Sequence, residues 1–124
     1  MTKEEFKEYL ELVGGVYDWR GRNHSEVGFF GVHEGWYSLI KDMMNELIAI
    51  GWDRHLHQCK EKFGGLRFYL ATYPEGAIEI VTKYESLSYE TCEVCGEKGV
   101  LRAGSWLVTR CDEHSEGKPL YSKK

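Results

Sequence analysis

No apolar run in this chain approaches the roughly 20 residues that a membrane-crossing helix requires, so no membrane partner is expected. Positive charge is not in surplus either: 16 Lys and Arg stand against 20 Asp and Glu, for a net charge of −4. General binding of duplex DNA needs a strongly basic face and is excluded on that ground. The stretch Met1-Thr2-Lys3-Glu4-Glu5 is polar and acidic, without the basic and apolar regions of a secretory leader. Cysteine is scarce: of 4 residues, three fall into one motif and Cys59 alone is left over. That usage belongs to a reducing compartment and predicts a cytoplasmic protein.

What is present bounds the architecture. A chain of 124 residues predicts a single domain, large enough for a real core. Aromatic residues make up 14%, a high share, so some of them should lie at the surface or line a pocket.

The most legible stretch runs Cys92-Glu-Val-Cys95, then 15 residues, then Cys111-Asp-Glu-His114. Two cysteines two residues apart, on a turn marked by Gly96, can direct both thiolates at one ion. A Cys and a His with the same gap can close the tetrahedron. Zn²⁺ accepts four such ligands, and a Cys₃His site that fills every position is structural rather than catalytic. Between the pairs, Val100-Leu101-Arg102, a small turn at Ala103-Gly104-Ser105, and Trp106-Leu107-Val108 read as a hairpin. The motif predicts a zinc ribbon or knuckle over 92–114, with Cys92, Cys95, Cys111 and His114 as ligands.

The remaining elements follow from periodicity. Thr2 and Glu5 have the form of a capping box, and Phe6, Tyr9, Leu10 and Val13 make one helical stripe that Gly14-Gly15 ends. Residues 16–35 lose all periodicity, and a loop of that length is more often functional than ornamental. It gathers Trp19, Arg20, Arg22, Asn23 and His24. A second helix is predicted over 36–50, with Trp36, Ile40, Met43, Leu47 and Ile50 on its buried face. Strand-like runs at 52–59 and 66–72, joined through Gly64-Gly65, read as a β-hairpin. A third helix follows over 77–89, with Ala77, Val81, Tyr84 and Ser88 on one face and Glu79 to Lys83 as a supporting pair. The fold class is therefore α+β: three helices on a small antiparallel sheet, one domain over 1–114, and a flexible tail over 115–124.

Two constellations bear on ligands. Lys60, Lys62 and Arg67 surround Gly64-Gly65, where backbone amides could bind an anion and the cations would suit a phosphate or carboxylate. An exposed hairpin tip kept soluble by lysines would look the same. His55 and His57 alternate on a strand and could share a face for metal or acid–base work, but no third group is aligned with them. A His-Asn-His nuclease pattern is incomplete around Asn23 and His24, and Cys59 has no adjacent base. The pattern favours binding over catalysis, with a metal-dependent enzyme using His55 and His57 as the less favoured reading.

The blocks Lys60-Glu-Lys-Phe-Gly-Gly-Leu-Arg-Phe-Tyr69, Glu90-Thr-Cys-Glu-Val-Cys-Gly96 and Gly104-Ser-Trp-Leu-Val-Thr-Arg-Cys-Asp-Glu-His114 carry a resemblance. Across roughly 36–114 the chain resembles a family of small uncharacterised proteins of phages and bacterial prophages. The loop from Trp19 to His24 lies outside it. The resemblance supplies no activity. It implies a setting, the host cytoplasm if the chain is phage-encoded, in which small proteins act by binding, including against host defences.

The expected ligand site joins Lys60, Lys62, Gly64, Gly65 and Arg67 to Trp19, Arg20 and Arg22, within one chain or across a homo-oligomer. Rings for stacking, with cations and free amides for phosphate, would suit a small phosphorylated, nucleotide-like ligand. The alternative is an inhibitor or adaptor that grips a host protein through the aromatic loop, since Trp, Tyr and Arg dominate interface hot spots.

Overall fold

The computed structural model describes residues 1–121. Helix α1 spans Lys3–Val13, and its capping box forms as the sequence predicts: Thr2 Oγ1 accepts from the Glu5 amide at 3.1 Å while Glu5 accepts from Thr2 at 2.8 Å. Helix α2 spans Tyr37–Ala49 and continues a 3₁₀ turn at Glu34–Trp36. Trp36, Ile40, Met43 and Leu47 are fully buried, whereas Ile50 falls beyond the helix and is exposed.

Three two-stranded antiparallel ladders replace a single sheet. β1 (Val16–Tyr17) pairs with β2 (Asn23–His24), β3 (Leu56–Lys62) with β4 (Gly65–Leu70), and β5 (Val100–Arg102) with β6 (Val108–Arg110). Isolated parallel bridges, Tyr17 to His55 and Gly31 to Lys60, tie the long loop to β3. The loop is thus ordered by β3 rather than by a periodicity of its own.

Helix α3 (Ala77–Ser88) closes the domain. Glu85 and Ser88 accept hydrogen bonds from the Phe68 and Leu66 amides. The outer edge of β4 is thereby capped by side chains, which removes an exposed edge without another strand. Lys83 does not serve Glu79; it reaches across to Glu46 on α2 at 2.8 Å.

The core lies between α1, α2, α3 and the β3–β4 hairpin, with Phe6, Leu10, Leu56, Leu66 and Phe68 fully buried. The expected tail is not free as far as the structure describes it. Ala103 donates to the Pro119 carbonyl and Tyr121 to that of Leu101, so residues 119–121 lie along β5. Backbone groups on an edge strand recruit whatever chain is near, which periodicity cannot foresee. The last three tail residues, 122–124, lie outside the described residues.

Candidate metal centre and an adjoining cleft

The four predicted metal ligands converge. Cys95 and Cys111 sulfurs are 3.7 Å apart, Cys111 Sγ is 3.1 Å from His114 Nδ1, and Cys92 Sγ is 3.9 Å from it. All four donor atoms lie within 4.8 Å of one another, so the cluster could hold a metal ion. Two sulfurs bound at about 2.3 Å on a tetrahedron sit about 3.8 Å apart, so the spacing is compatible with a zinc knuckle. The turn at Cys92 forms because Gly96 donates back to the Cys92 carbonyl at 2.9 Å. The second pair rides on the 3₁₀ turn Asp112–His114 after β6.

The thiols are prepared unequally. Burial works to raise the Cys92 pKa, but the backbone amides of Cys111, Cys95 and Val94 prevail and bring it down to about 7. For Cys95 the Glu97 amide favours the thiolate, yet desolvation and the neighbouring Cys111 and Cys92 push it up to about 11. Crowded thiols resist ionising together, and a divalent cation removes that conflict.

The ribbon is joined tightly to the rest of the domain. The Gly35 amide donates to the Glu93 carbonyl at 2.7 Å, and a Cβ at Gly35 would stand 2.1 Å from the Cys92 carbonyl. Only glycine allows that approach. Trp36 adds its indole N–H to the Thr91 carbonyl at 2.9 Å, and Thr109 donates its hydroxyl to the Gly64 carbonyl at 2.6 Å. Inside the ribbon, the nearly buried Arg102 guanidinium donates to the Arg110 and Lys118 carbonyls and pairs with Asp112 at 2.8 Å.

This docking corrects the expected anion site. The hairpin tip is Phe63-Gly64, both at positive φ (54° and 83°), and Gly65 is already in β4. Gly64 and Gly65 are buried, one beneath Leu101 and Val108, the other against the Tyr89 ring. The Gly64 amide is taken by Glu61 at 2.7 Å. Arg67 bonds Tyr89 at 3.1 Å and the Leu66 carbonyl, which makes it a packing residue. Lys60 lies across from it in the ladder and Lys62 is exposed.

Trp19, Arg20 and Arg22 lie elsewhere. Tyr17 bridges His55 at the start of β3, whereas Lys62 pairs with Gly65 at its far end. A strand rises about 3.3 Å per residue, so roughly 20 Å separates the two groups. Within one chain the structure does not bring them together. The loop instead closes on itself around Asp18, which accepts from the Arg20 and Arg22 amides, from Arg22 Nε and from His24 at 2.8 Å. Those bonds, led by the one to His24, hold the Asp18 carboxyl well below the usual range.

His55 and His57 form no site. The ladder slips between Leu56 and Gln58, which breaks the alternation that would have put both rings on one face. His55 stacks on Tyr17 at 5.1 Å while His57 points to solvent. Cys59 is buried, and burial drives its thiol far up, so it is inert.

What sequence reasoning passed over is a pair of hollows where the ribbon meets the hairpin. A groove of about 470 Å³ is lined by Glu61, Phe63 and the loop from Gly104 to Leu107. Trp106 sits in that loop, not on a strand, and is exposed. Glu61 and Trp106 also line a second, polar cleft of about 300 Å³ with His33, Glu93 and Arg110. Glu93 is 4% exposed although it is the residue directly after Cys92. A charged side chain inside a CxxC turn is the one sequence signal that could have found it. Comparison with known proteins gives no matching family model, no matching curated protein and no matching solved structure. Among the described residues no helix is long and apolar enough to cross a membrane.

Proposed function

We propose that this chain is a non-enzymatic binding protein, stapled by one structural zinc ion, that captures a small phosphorylated, nucleotide-like ligand between the hairpin tip and the ribbon tip. One observation carries the reading. Phe63 and Trp106, 63% and 65% exposed, line the same groove, and each ring carries a lysine, Lys62 at 5.4 Å and Lys118 at 5.2 Å. Rings that remain in water while Trp36, Trp52 and Phe68 are buried are available for stacking, and the two ammonium groups suit phosphate. Phe63 is moreover held at positive φ, a conformation that disfavours bulky side chains and recurs at functional sites. Cys₃His closes all four positions of a tetrahedral ion, so the zinc keeps the ribbon on the hairpin and takes no substrate. In the phage setting implied by the sequence resemblance, such capture would deplete a host signalling or defence metabolite.

The alternative, a grip on a host protein, is favoured by Trp19, which is 67% exposed beneath the Arg20 guanidinium at 4.6 Å. Thermal unfolding of the zinc-loaded protein with a panel of nucleotides separates the two. Ligand capture raises the melting temperature, by about 2.7 kcal/mol of stability at one hundred times Kd. Trp106→Ala should abolish that rise and leave the free protein's melting unchanged, whereas Trp19→Ala should change neither. No rise with any nucleotide would sink the reading.

A further inference from the structure

The polar cleft beside the groove contains complementary groups that do not satisfy each other. The Glu93 carboxylate, although buried, accepts one hydrogen bond among the described residues, from the His33 amide at 3.2 Å. A carboxylate has room for about four. Arg110 lines the same cleft, and its buried Nε has no acceptor. Its Nη1 turns away, to the His114 carbonyl at 3.2 Å and to Glu116. Glu61 adds a second carboxylate, one oxygen of which is taken by Gly64. Burying such groups without partners is costly, so a cleft of this kind is stable only when water or a ligand completes it.

The completing group must offer adjacent donors to a carboxylate and an acceptor to a guanidinium. It must also be flat, because Trp106 is the wall shared with the stacking groove. Among nucleobase edges that pattern is guanine's: N1–H and the N2 amine are neighbouring donors, with O6 beside them as acceptor. Adenine, cytosine and uracil each lack the paired donors. We infer that this cleft reads the Watson–Crick edge of a guanine base, with Glu93 accepting from N1–H and the N2 amine, the Arg110 guanidinium facing O6, and Trp106 stacking on the ring. The inference rests on the proposed ligand capture and specifies its base.

Calorimetric titration of the zinc-loaded full chain with GMP, IMP, AMP, CMP and UMP tests it. GMP should bind tightest. IMP, which lacks only the N2 amine, should bind about tenfold more weakly, the loss of one hydrogen bond to a charged group. AMP, CMP and UMP should be weaker still. Glu93→Gln should lower GMP affinity at least about tenfold and erase the gap between GMP and IMP. If that variant fails to retain zinc, the nucleotide series alone decides, because it needs no substitution. A single-stranded trinucleotide with a central guanine, run beside its adenine counterpart, distinguishes a strand from a free nucleotide; preference for guanine in either form supports the inference. Equal binding of all five mononucleotides would overturn the guanine reading and leave ligand capture standing. No binding of any would overturn both.

Discussion

From α1 to β4 the chain buries Phe6, Leu10, Val16, Trp36, Ile40, Met43, Leu47, Leu56 and Phe68 in one continuous core. From Cys92 to Arg110 it buries Cys92 and Val108 as apolar side chains, alongside Glu93, Arg102 and Thr109. The first region can offset its folding entropy with hydrophobic area. The second cannot, since so few residues leave too little to bury. It has a Cys/His cluster that could hold a metal ion at one end and a nearly buried arginine that gathers three acceptors at the other. The contrast has a functional consequence. A region held by polar contacts leaves Trp106 in solvent and Glu93 in a cleft, whereas the body draws Trp36, Trp52 and Phe68 inside and leaves Trp19 and Phe63 exposed at its margins.

The widest separation between the regions should come from the metal. Zinc binding in small sites is worth about 10–16 kcal/mol, and that free energy is folding free energy. Cys111→Ser should therefore abolish the roughly stoichiometric zinc that elemental analysis is expected to find in the native protein. In hydrogen exchange, the Glu93, Arg102 and Arg110 amides should lose protection while those of α2 and β3 keep most of theirs. The ribbon covers Gly35 and Gly64, so the variant should also be less soluble. Protection retained across β5 and β6 after metal loss would break the comparison.

A smaller but global effect is expected from the body. Trp36 is fully buried and holds the Thr91 carbonyl, one residue before the first ligand. Trp36→Ala should cost about 3–5 kcal/mol, the usual range for emptying a large aromatic site. Chemical denaturation should show one cooperative transition moving to lower denaturant, with ribbon and body unfolding together. Two separated transitions would mean that the two regions are less coupled than the shared backbone contacts imply.

The smallest effect concerns pH and tests whether the body, too, contains a polar staple. Asp18 is depressed in the folded state, first by its bond to His24 and then by the Arg22 and Arg20 amides. A carboxylate of this kind stabilises the fold above its unfolded pKa of about 3.9 and loses that contribution as pH falls through and below it. Asp18→Asn should lower the melting temperature at pH 7 and narrow its gap to the parent protein below about pH 4. The gap, not the parent's own slope, is the measure, because metal affinity itself depends on pH. A gap that stays constant from pH 7 to pH 3 would remove Asp18 as a titrating staple.

Local chemistry was legible in the sequence wherever one segment sufficed. The capping box at Thr2, the stripes of α1 and α2 from Phe6 to Leu47, and the buried face of α3 all follow from short-range spacing, and the structure places them as expected. The four members of the Cys/His cluster were equally readable, because two short turns position each pair before any tertiary contact is made. Glycines were misleading for a physical reason: Gly64 and Gly65 look like an open anion cradle, yet their missing side chains make room for Leu101, Val108 and Tyr89. Nothing in residues 60–67 alone says which of those uses applies.

The cleft is the part that only the tertiary structure decided. Glu61, Glu93, Arg110, Trp106 and His33 come from β3, the first metal turn, β6, the ribbon loop and the segment before α2. No periodicity links them, and their meeting depends on the ribbon seating itself over the hairpin tip through Thr109 and Gly64. The sequence alone determined which atoms can hold a metal. Which carboxylates would then face a common space depended on the packing of two regions, a long-range event that residue spacing does not encode.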